Sequence, residues 1–522
     1  MIMKDITSSV YNFEDLIQGN FLYVDKTEYI WQLIRPAKES YFLSRPRRFG
    51  KSLTLSTLKA VFEGKKELFK GLAIYDKPYD WKKYPVIHLD FANCNIRTAD
   101  ELVGYLMGQL GNIADSFGLQ LRGSLLSVCF ENLINDISAQ GNVVIFVDEY
   151  DKPILNNITR TEAGDILSVL KGFYSNIKKA ESKLRFAFIT GVSKFSHVSL
   201  FSDLNNLTDI TMDRCYATML GYTQAELELY FGERIADLSG GQDVEIFKAE
   251  IKEWYNGYRF EERAKTVYNP VSLAKFFESG GKFNNYWFAT GTPSFLMELT
   301  KKTDFDFRSA VGGNSVPEVA FNAFEIDNID PLTLLLQTGY VTIKDTEQRF
   351  GQTWYFLDFP NREVTTAFSA YILNSYAGKS QTDGVRFVAE FATSLLDGDL
   401  KKLRKAMEVF FAGIPYDVHK KQESTFQGIF FSIFRLLGVY VEAESATNDG
   451  RIDAVVQTPN GIYIFEFKLD NDPTALEQIK EKEYYKKYLL DDRDIYIVGV
   501  NFDSVKGNLI GWEDEKIERS AR

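Results

Sequence analysis

The sequence predicts an α/β fold in three parts: a core with a parallel sheet, a mainly helical middle region and a small α/β domain at the C-terminus. Strand-like and helix-like segments alternate over the first ~220 residues. The pattern from about Gly221 to Lys344 is mainly helical, and a β-hairpin, a helix and a strand come near the end. We expect domains at residues 1–220, 221–375 and 376–522, with a lid-like or winged-helix-like middle region.

The composition is that of an acidic globular protein. Of 522 residues, 45% are hydrophobic and 25% are charged, and the net charge is -12. At ~100–200 residues per domain, the length predicts several domains. Proteins that coat nucleic acid carry a basic surface, so any nucleic-acid contact here must be local, through a basic patch or a bound metal ion.

Cysteine usage favours a reducing compartment. Cys94, Cys129 and Cys215 are far apart and form no CxxC pair, which argues against a disulfide framework and a zinc site. With three histidines, a His-rich metal site is excluded. The N-terminus has no apolar leader segment, and the apolar runs are too short to span a bilayer. We therefore expect a cytoplasmic protein without membrane segments.

The strands of the predicted core are short, apolar and β-rich. They are Tyr41–Leu43, Val86–Phe91, Asn142–Val147 and Leu184–Thr190. Helical patterns fall between them at Ser52–Phe62 and Glu162–Lys179. In the middle region, Tyr340–Ile343 and Thr353–Leu357 are predicted to pair as a small β element, and beyond that region Asp383–Leu437 is predicted to be helical.

The C-terminal domain is predicted around a hairpin. Arg451–Gln457 and Ile462–Leu469 alternate between apolar and polar residues, and Thr458–Gly461 has good turn chemistry. A helix at Thr474–Leu489 and a strand at Asp494–Val500 are expected to follow. This order predicts a separate small α/β domain.

A phosphate-binding loop is predicted at Ser44–Ser52, which follows a strand and opens a helix. Gly50 allows the backbone to approach phosphates, Lys51 reaches the β- and γ-phosphates, and the Ser52 hydroxyl can hold Mg²⁺. Arg45 stands where the pattern GxxxxGK[ST] has its first Gly. The alternative is an ordinary strand–turn–helix with a chance Gly-Lys-Ser.

A second motif supports nucleotide binding. Val143–Glu149 is an apolar strand that ends in two carboxylates, of which Asp148 would bind Mg²⁺ and Glu149 would orient or deprotonate the attacking water. The alternative is a buried strand with acidic residues at its solvent end. Thr190 or Ser193 could sense the γ-phosphate, or could form turns. Together the motifs predict a P-loop NTPase core with ATP and Mg²⁺. The predicted nucleotide contacts are Arg45, Arg48, Phe49, Gly50, Lys51, Ser52, Leu53 and Thr190.

Two carboxylates and a lysine are predicted to converge in the C-terminal hairpin. Glu466 and Lys468 share one face of a strand, and the turn brings Asp453 close to Glu466. The carboxylates could hold a divalent cation that activates water, and the lysine could stabilise the oxyanion of a phosphodiester. This arrangement, D…ExK, predicts a restriction-endonuclease-like domain. The alternative is a strand ion pair beside a solvated helix. Glu423 could add a third carboxylate, and Gln478 and Tyr484 could line the same site. A local basic face for a phosphate backbone is predicted from Lys480, Lys482, Lys486 and Lys487.

The chain resembles the bacterial predicted AAA-ATPase proteins that carry a C-terminal PD-(D/E)XK nuclease-like domain. The resemblance implies ATP binding, a restriction-endonuclease-like C-terminal fold and an Arg in place of the first P-loop Gly. It also marks Arg214 and Arg259 as sensor-like arginines, either of which could instead form a surface ion pair. The landmarks are Tyr23–Thr27, Phe42–Ser52, Val147–Asp151, Ile189–Phe195, Leu204–Leu207, Tyr255–Phe260, Tyr268–Pro270, Leu336–Tyr340, Pro360–Val364, Gly450–Asp453 and Phe465–Lys468.

Three hypotheses about function follow. The leading one is an ATP-gated nuclease that acts on nucleic acid, DNA ahead of RNA, with Mg²⁺ at both sites. The second is a regulatory NTPase switch whose nuclease-like domain recognises a partner without cutting, which the acidic net charge favours. The third is a nucleotide-binding scaffold that hydrolyses nothing. A homo-oligomer and a monomeric switch both stay open.

Overall fold

In a computed structural model of the chain, the described residues divide into two compact units, one up to residue 356 and one from residue 357. The structure describes residues 3–194, 207–287, 315–321, 330–377, 381–412, 429, 432–438, 442–444, 454–469, 475–503 and 509–518. The division into three domains at residues 220 and 375 stays a prediction.

The first unit is built on a five-stranded parallel sheet with strand order β2-β3-β4-β1-β5. Its strands are β1 (Glu39–Ser44), β2 (Val86–Asp90), β3 (Val143–Asp148), β4 (Leu184–Gly191) and β5 (Thr208–Asp209). Every residue of β3 and β4 is buried, as their continuous apolar sequences predict. The predicted α/β class with a parallel sheet is confirmed, and β5 is a short edge strand beyond the predicted ones.

Helices cover this sheet, and their starts follow local capping chemistry. The Thr98 hydroxyl accepts from the Glu101 N–H at the start of α4, and Gly50 begins α3 with a φ of 96°. The helices are α1 (Phe13–Gln18), α2 (Thr27–Ile34), α3 (Lys51–Phe62), α4 (Ala99–Ser116), α5 (Leu126–Ile137), α6 (Lys152–Leu155) and α7 (Ala163–Lys179). The helices predicted at Ser52–Phe62 and Glu162–Lys179 are therefore α3 and α7.

The middle region is mainly helical, as predicted. The helices α8 (Gln224–Leu238), α9 (Val244–Tyr255) and α10 (Pro270–Glu278) enclose one hydrophobic cluster. A capping box of Thr223 and Glu226 begins α8. A three-stranded sheet of order β6-β8-β7 is made of β6 (Ser315–Pro317), β7 (Thr342–Arg349) and β8 (Gln352–Asp358), and the helix α11 (Pro331–Thr338) lies between β6 and β7 in the sequence. The small β element predicted here is therefore longer than the sequence indicated.

The second unit contains a mixed sheet of order β13-β12-β11-β10-β9, in which only β11 and β12 are described as a parallel pair. Its strands are β9 (Glu442–Glu444), β10 (Ala454–Gln457), β11 (Gly461–Leu469), β12 (Asp494–Phe502) and β13 (Leu509–Lys516). Its helices are α12 (Arg362–Ala377), α13 (Gln381–Leu396), α14 (Leu400–Ala412) and α15 (Ala475–Glu481). This mixed α/β sheet agrees with the predicted restriction-endonuclease-like class.

The helix predicted at Thr474–Leu489 is wrong in its length. The helix α15 ends at Glu481, and Glu483 takes a left-handed conformation with a φ of 49° before a 3₁₀ turn at Tyr484–Tyr488. A run of lysines and tyrosines with helical periodicity does not reveal such a break, because the tertiary packing of the tyrosines decides it. Leu476, Tyr484, Tyr485 and Tyr488 pack against the isoleucine cluster of the sheet. Among the described residues, no helix is both long and apolar enough to span a bilayer.

Candidate functional site

The loop between β1 and α3 has the backbone geometry of an anion site. Gly50 has a φ of 96°, a region that residues with a Cβ rarely adopt, and Arg48 has a φ of 68°. The first N–H groups of α3 have no partner within the helix. Lys51 is buried and donates to the Arg45 carbonyl at 2.9 Å and to the Pro46 carbonyl at 3.0 Å. Burial lowers the pKa of the Lys51 ammonium, and the nearby carboxylates of Asp148 and Glu149 oppose this.

Three predicted site residues meet at the carboxyl ends of the parallel strands. The Ser52 hydroxyl donates to Asp148 Oδ2 at 2.6 Å, and the Thr190 hydroxyl donates to Asp148 Oδ1 at 2.7 Å. Asp148 ends β3 and Thr190 lies near the end of the neighbouring strand β4, while Ser52 is in the first turn of α3. Asp148 is only 3% exposed. A carboxylate beside a hydroxyl is an oxygen donor set that suits a hard divalent cation.

Glu149 follows Asp148 in an unusual conformation. Its φ is 53°, which is rare for a residue with a side chain. Its carboxylate lies 3.3 Å from the Lys152 ammonium, and Lys152 also donates to the Ala92 carbonyl. The side chain is 26% exposed, so it can reach solvent beside the Asp148 cluster. The predicted catalytic carboxylate is therefore held in an ion pair.

Asp151 is a site residue that the sequence motifs did not assign. It is 1% exposed and accepts hydrogen bonds from the Val192 N–H, the Ser193 N–H and the Ser193 hydroxyl, the last two at 2.7 Å. Burial raises the pKa of the Asp151 carboxyl, although these donors oppose the rise. The Tyr150 hydroxyl also donates to the Ser193 carbonyl at 3.0 Å. These bonds tie the segment after β3 to the segment after β4.

The side chains of Arg45 and Phe49 are engaged by other parts of the chain, and their contact with the nucleotide stays a prediction. The Arg45 guanidinium donates to the Ser44 carbonyl at 2.9 Å, to the Thr211 carbonyl and to the Tyr216 carbonyl. It also lies 4.3 Å from the Phe260 ring centre, and burial lowers its pKa to about 9. Both side chains are almost fully buried, because the chain packs its loop against elements far away in sequence.

Phe49 is held by two aromatic rings. Its ring meets Tyr258 edge-on at 4.9 Å and Phe260 edge-on at 5.3 Å. The Trp287 indole N–H donates to the Arg47 carbonyl at 3.1 Å. The loop is thus supported along its length by the middle region. Arg48 is exposed and Leu53 is half-buried, so both stay accessible as predicted nucleotide contacts.

In the second unit, Glu466 and Lys468 share one face of β11. Their charged atoms are 3.5 Å apart, with Glu466 2% exposed and Lys468 26% exposed. Ile462 and Ile464 continue the same face into the core under α15. The opposite face carries Phe465, 5.6 Å from the ring of Phe434. The predicted alternation of β11 is therefore present in the structure.

The third predicted member, Asp453, lies outside the described residues, as does Glu423. Within the described ranges, no three acidic, His or Cys side chains lie close enough to hold a metal ion. Part of the predicted basic face is neutralised, because Lys480 pairs with Glu515 at 2.5 Å and Lys486 pairs with Glu483 at 2.5 Å. The site in the second unit is thus described through Glu466 and Lys468.

Comparisons with known proteins match a family model to the region around each candidate site. The family described as predicted AAA-ATPase matches residues 8–201, and the PD-(D/E)XK nuclease superfamily matches residues 421–512. An uncharacterized protein from the vnfD 5′ region of Azotobacter chroococcum mcd 1 is 36% identical over 530 residues, which cover 99% of this chain and 100% of that protein. The solved structure of the Aeropyrum pernix ORC2 protein, in ADPNP and ADP complexes, is 13% identical. The match covers 85% of this chain and 89% of the chain in that structure, with a TM-score of 0.25.

Proposed function

We propose that the chain hydrolyses ATP in its first unit and cleaves nucleic-acid phosphodiesters in its second. This proposal starts from its family, because the chain belongs to the predicted AAA-ATPase family with a C-terminal domain of the PD-(D/E)XK nuclease superfamily. The architecture joins an ATPase-like unit to a nuclease-like unit. The proposal adds the two activities, their dependence on Mg²⁺ and the residues that carry them.

The cluster of Ser52, Asp148 and Thr190 is the observation that carries the proposal. Ser52 and Asp148 would hold Mg²⁺, since their oxygens are 2.6 Å apart and Asp148 is buried. The ion would neutralise charge on the β- and γ-phosphates when it is bound. Thr190 would sense the γ-phosphate from the end of β4, because its hydroxyl already reaches Asp148.

The loop residues would bind the phosphates. Lys51 would leave the carbonyls of Arg45 and Pro46 and donate to the β- and γ-phosphates. Gly50 and the N–H groups that open α3 would line the anion. Arg48, exposed at the loop, would add positive charge beside the phosphates. Arg45 and Phe49 would hold the loop in its conformation, because their side chains pack against Phe260 and Tyr258 of the middle region.

Glu149 would orient and deprotonate the attacking water. This role needs its carboxylate to turn from the Lys152 ammonium, 3.3 Å away, toward the water. In the second unit, Asp453 and Glu466 would hold Mg²⁺ at the phosphodiester and Lys468 would stabilise the developing charge. Glu466 suits this role because it is a buried carboxylate next to a cation. We propose DNA ahead of RNA as the substrate.

The free thiols of the chain suit a cytoplasmic protein. Cys94 and Cys129 are buried and unpaired, and Cys215 is exposed and unpaired. Such thiols persist in a reducing compartment. A homo-oligomer stays an open proposal, to be tested by the molecular mass in solution with and without ATP.

The decisive experiment measures both activities on the full chain. ATP turnover and cleavage of plasmid, linear duplex, single-stranded DNA and RNA are assayed with Mg²⁺, with and without ATP. Lys51→Ala should abolish turnover, and Asp453→Ala should abolish cleavage while turnover persists. The exposed residues Lys70 and Asp397 provide the matched controls Lys70→Ala and Asp397→Ala. Cleavage that survives Asp453→Ala would remove the nuclease assignment.

A regulatory switch is the second candidate. The observation in its favour is that Lys51 bonds to carbonyls of a loop that packs on Tyr258 and Phe260. Nucleotide binding that draws Lys51 away from these carbonyls would therefore change the contacts between the loop and the middle region. ATP turnover lost in Lys51→Ala, with no cleavage of any nucleic acid, would select the switch over the nuclease.

A further inference from the structure

A cavity of about 510 Å³, including its mouth, lies in the first unit beside the phosphate-binding loop. Ser44 and Pro46 of that loop form part of its wall, but Gly50, Lys51 and Ser52 do not. The cavity is therefore adjacent to the predicted phosphate site and separate from it. Most of the wall is apolar, from Met212, Tyr258, Phe260, Phe321, Leu336 and Ile343.

Two polar side chains of the wall, those of Gln337 and Arg259, each carry a hydrogen-bond donor that lacks an acceptor. Gln337 uses its Oε1 to accept from the Lys194 N–H at 2.8 Å, while its Nε2 is buried without a partner. Arg259 uses Nη1 to donate to the Lys344 carbonyl at 2.9 Å, while its Nε is buried without a partner. Buried donors of this kind are normally satisfied. A ligand that satisfies them must bring acceptor atoms.

The charge of the wall is positive. The Lys194 ammonium is neutralised by Asp209 at 2.8 Å. In the part of the chain that the structure describes, no carboxylate lies within ion-pair distance of the Arg259 guanidinium. An acceptor group with a negative charge would therefore gain most at this position, because hydrogen bonds to a charged acceptor are the stronger ones.

We propose that this cavity binds a small organic anion, with an apolar ring or short chain against the aromatic wall and a carboxylate that accepts from Gln337 and Arg259. An apolar pocket with a few convergent polar groups is the usual form of a small-molecule site. Pro46 joins this site to the nucleotide loop, since its carbonyl accepts from Lys51 at 3.0 Å.

Binding to the full chain is tested with phenylacetate and octanoate as probes, by isothermal titration calorimetry and ligand-observed NMR. The neutral 2-phenylethanol has the same ring and chain and serves as the matched ligand. Phenylacetate should bind at least ~10-fold more tightly than 2-phenylethanol, because the charged hydrogen bonds are lost in the alcohol. Equal affinity of the two, or no binding of either anion, overturns the proposal.

Gln337→Glu is the sharpest variant. It keeps an oxygen to accept from the Lys194 N–H, removes the Nε2 donor and places a negative charge against the ligand. Phenylacetate affinity should fall by ~10-fold or more, with an unchanged thermal unfolding midpoint. Arg259→Leu should have a similar effect, and Arg263→Leu is the control because Arg263 pairs with Glu262 and does not line the cavity. Unchanged affinity in both Gln337→Glu and Arg259→Leu overturns the proposal.

Discussion

The hydroxyl of Ser52 donates to Asp148 at 2.6 Å, although the two residues are 96 positions apart in the sequence. Ser52 opens α3 after β1, and Asp148 ends β3. The two strands are separated in the sheet by β4, whose Thr190 reaches the other oxygen of the same carboxylate. The Asp148 carboxylate thus joins three elements at the proposed nucleotide site.

Asp148→Asn should abolish Mg²⁺-dependent ATP hydrolysis while the chain still folds. The amide keeps one acceptor for a hydroxyl but loses the negative charge that would hold the cation. We expect turnover to fall by ~100-fold or more, as for other groups that stabilise charge at a reacting centre. Phosphate release measured across a Mg²⁺ titration checks this, with Asp115→Asn as the exposed control. Turnover near that of the wild type would contradict the assignment of Asp148.

Asp151→Ala should destabilise the first unit. The substitution leaves the buried N–H groups of Val192 and Ser193 without their acceptor. At ~1–3 kcal/mol for each orphaned group, we expect the free energy of unfolding to fall by about 2–5 kcal/mol. Urea denaturation followed by circular dichroism measures the change, beside the exposed Asp115→Ala. A loss equal to that of the control would show that Asp151 does not hold these segments together.

Phe49→Ala should weaken both the fold and nucleotide binding. The ring is 1% exposed and packs edge-on against Tyr258 and Phe260. Truncation of a buried Phe destabilises a protein by about 3–5 kcal/mol. The matched control is Phe350→Ala, whose side chain is 99% exposed, and which should change stability by less than about 0.5 kcal/mol. An ATP affinity unchanged by Phe49→Ala would show that nucleotide binding does not depend on these aromatic contacts of the loop.

ATP affinity should fall as pH rises through the alkaline range. Burial lowers the pKa of Lys51 from its ordinary value of 10.5, and bound phosphates would raise it again. The charged form therefore favours binding, so affinity is highest below the lowered pKa and is lost between that pKa and the higher pKa of the complex. Calorimetry in two buffers with different ionisation enthalpies should detect proton uptake in this window. Binding without proton uptake from pH 7 to pH 10 would contradict the linkage.

Much of the fold follows from local patterns in the sequence. The strands β3 and β4 are continuous apolar runs, which suit a sheet covered on both faces, and their predicted bounds agree with the structure to within a residue. The alternation of β11 correctly placed Glu466 and Lys468 on one face. The helix after β11 was predicted too long, because the left-handed Glu483 has no marker in the local pattern.

Some residues of the candidate site could be predicted from the sequence, and others could not. The loop at Gly50 and Lys51 has a motif whose spacing reflects phosphate chemistry, so the sequence indicates it directly. Arg45 is predicted beside the nucleotide because it is a cation in that loop, and the sequence does not indicate that its side chain also donates to the Thr211 and Tyr216 carbonyls. Asp151 was missed as a site residue because its partners follow a different strand. The sequence does place a carboxylate three positions after Asp148, but this spacing alone does not indicate which groups the carboxylate contacts.

The sequence by itself predicted two candidate sites and most of the order of strands and helices, since glycine conformation, apolar periodicity and turn residues act over a few positions. The tertiary structure alone decided which side chains meet: Thr190 with Asp148, Asp151 with Ser193, and Phe49 with Tyr258. It also decided that Gln337 and Arg259 face a common cavity. These contacts join residues far apart in the chain, and the packing of whole elements selects them, which no local spacing encodes.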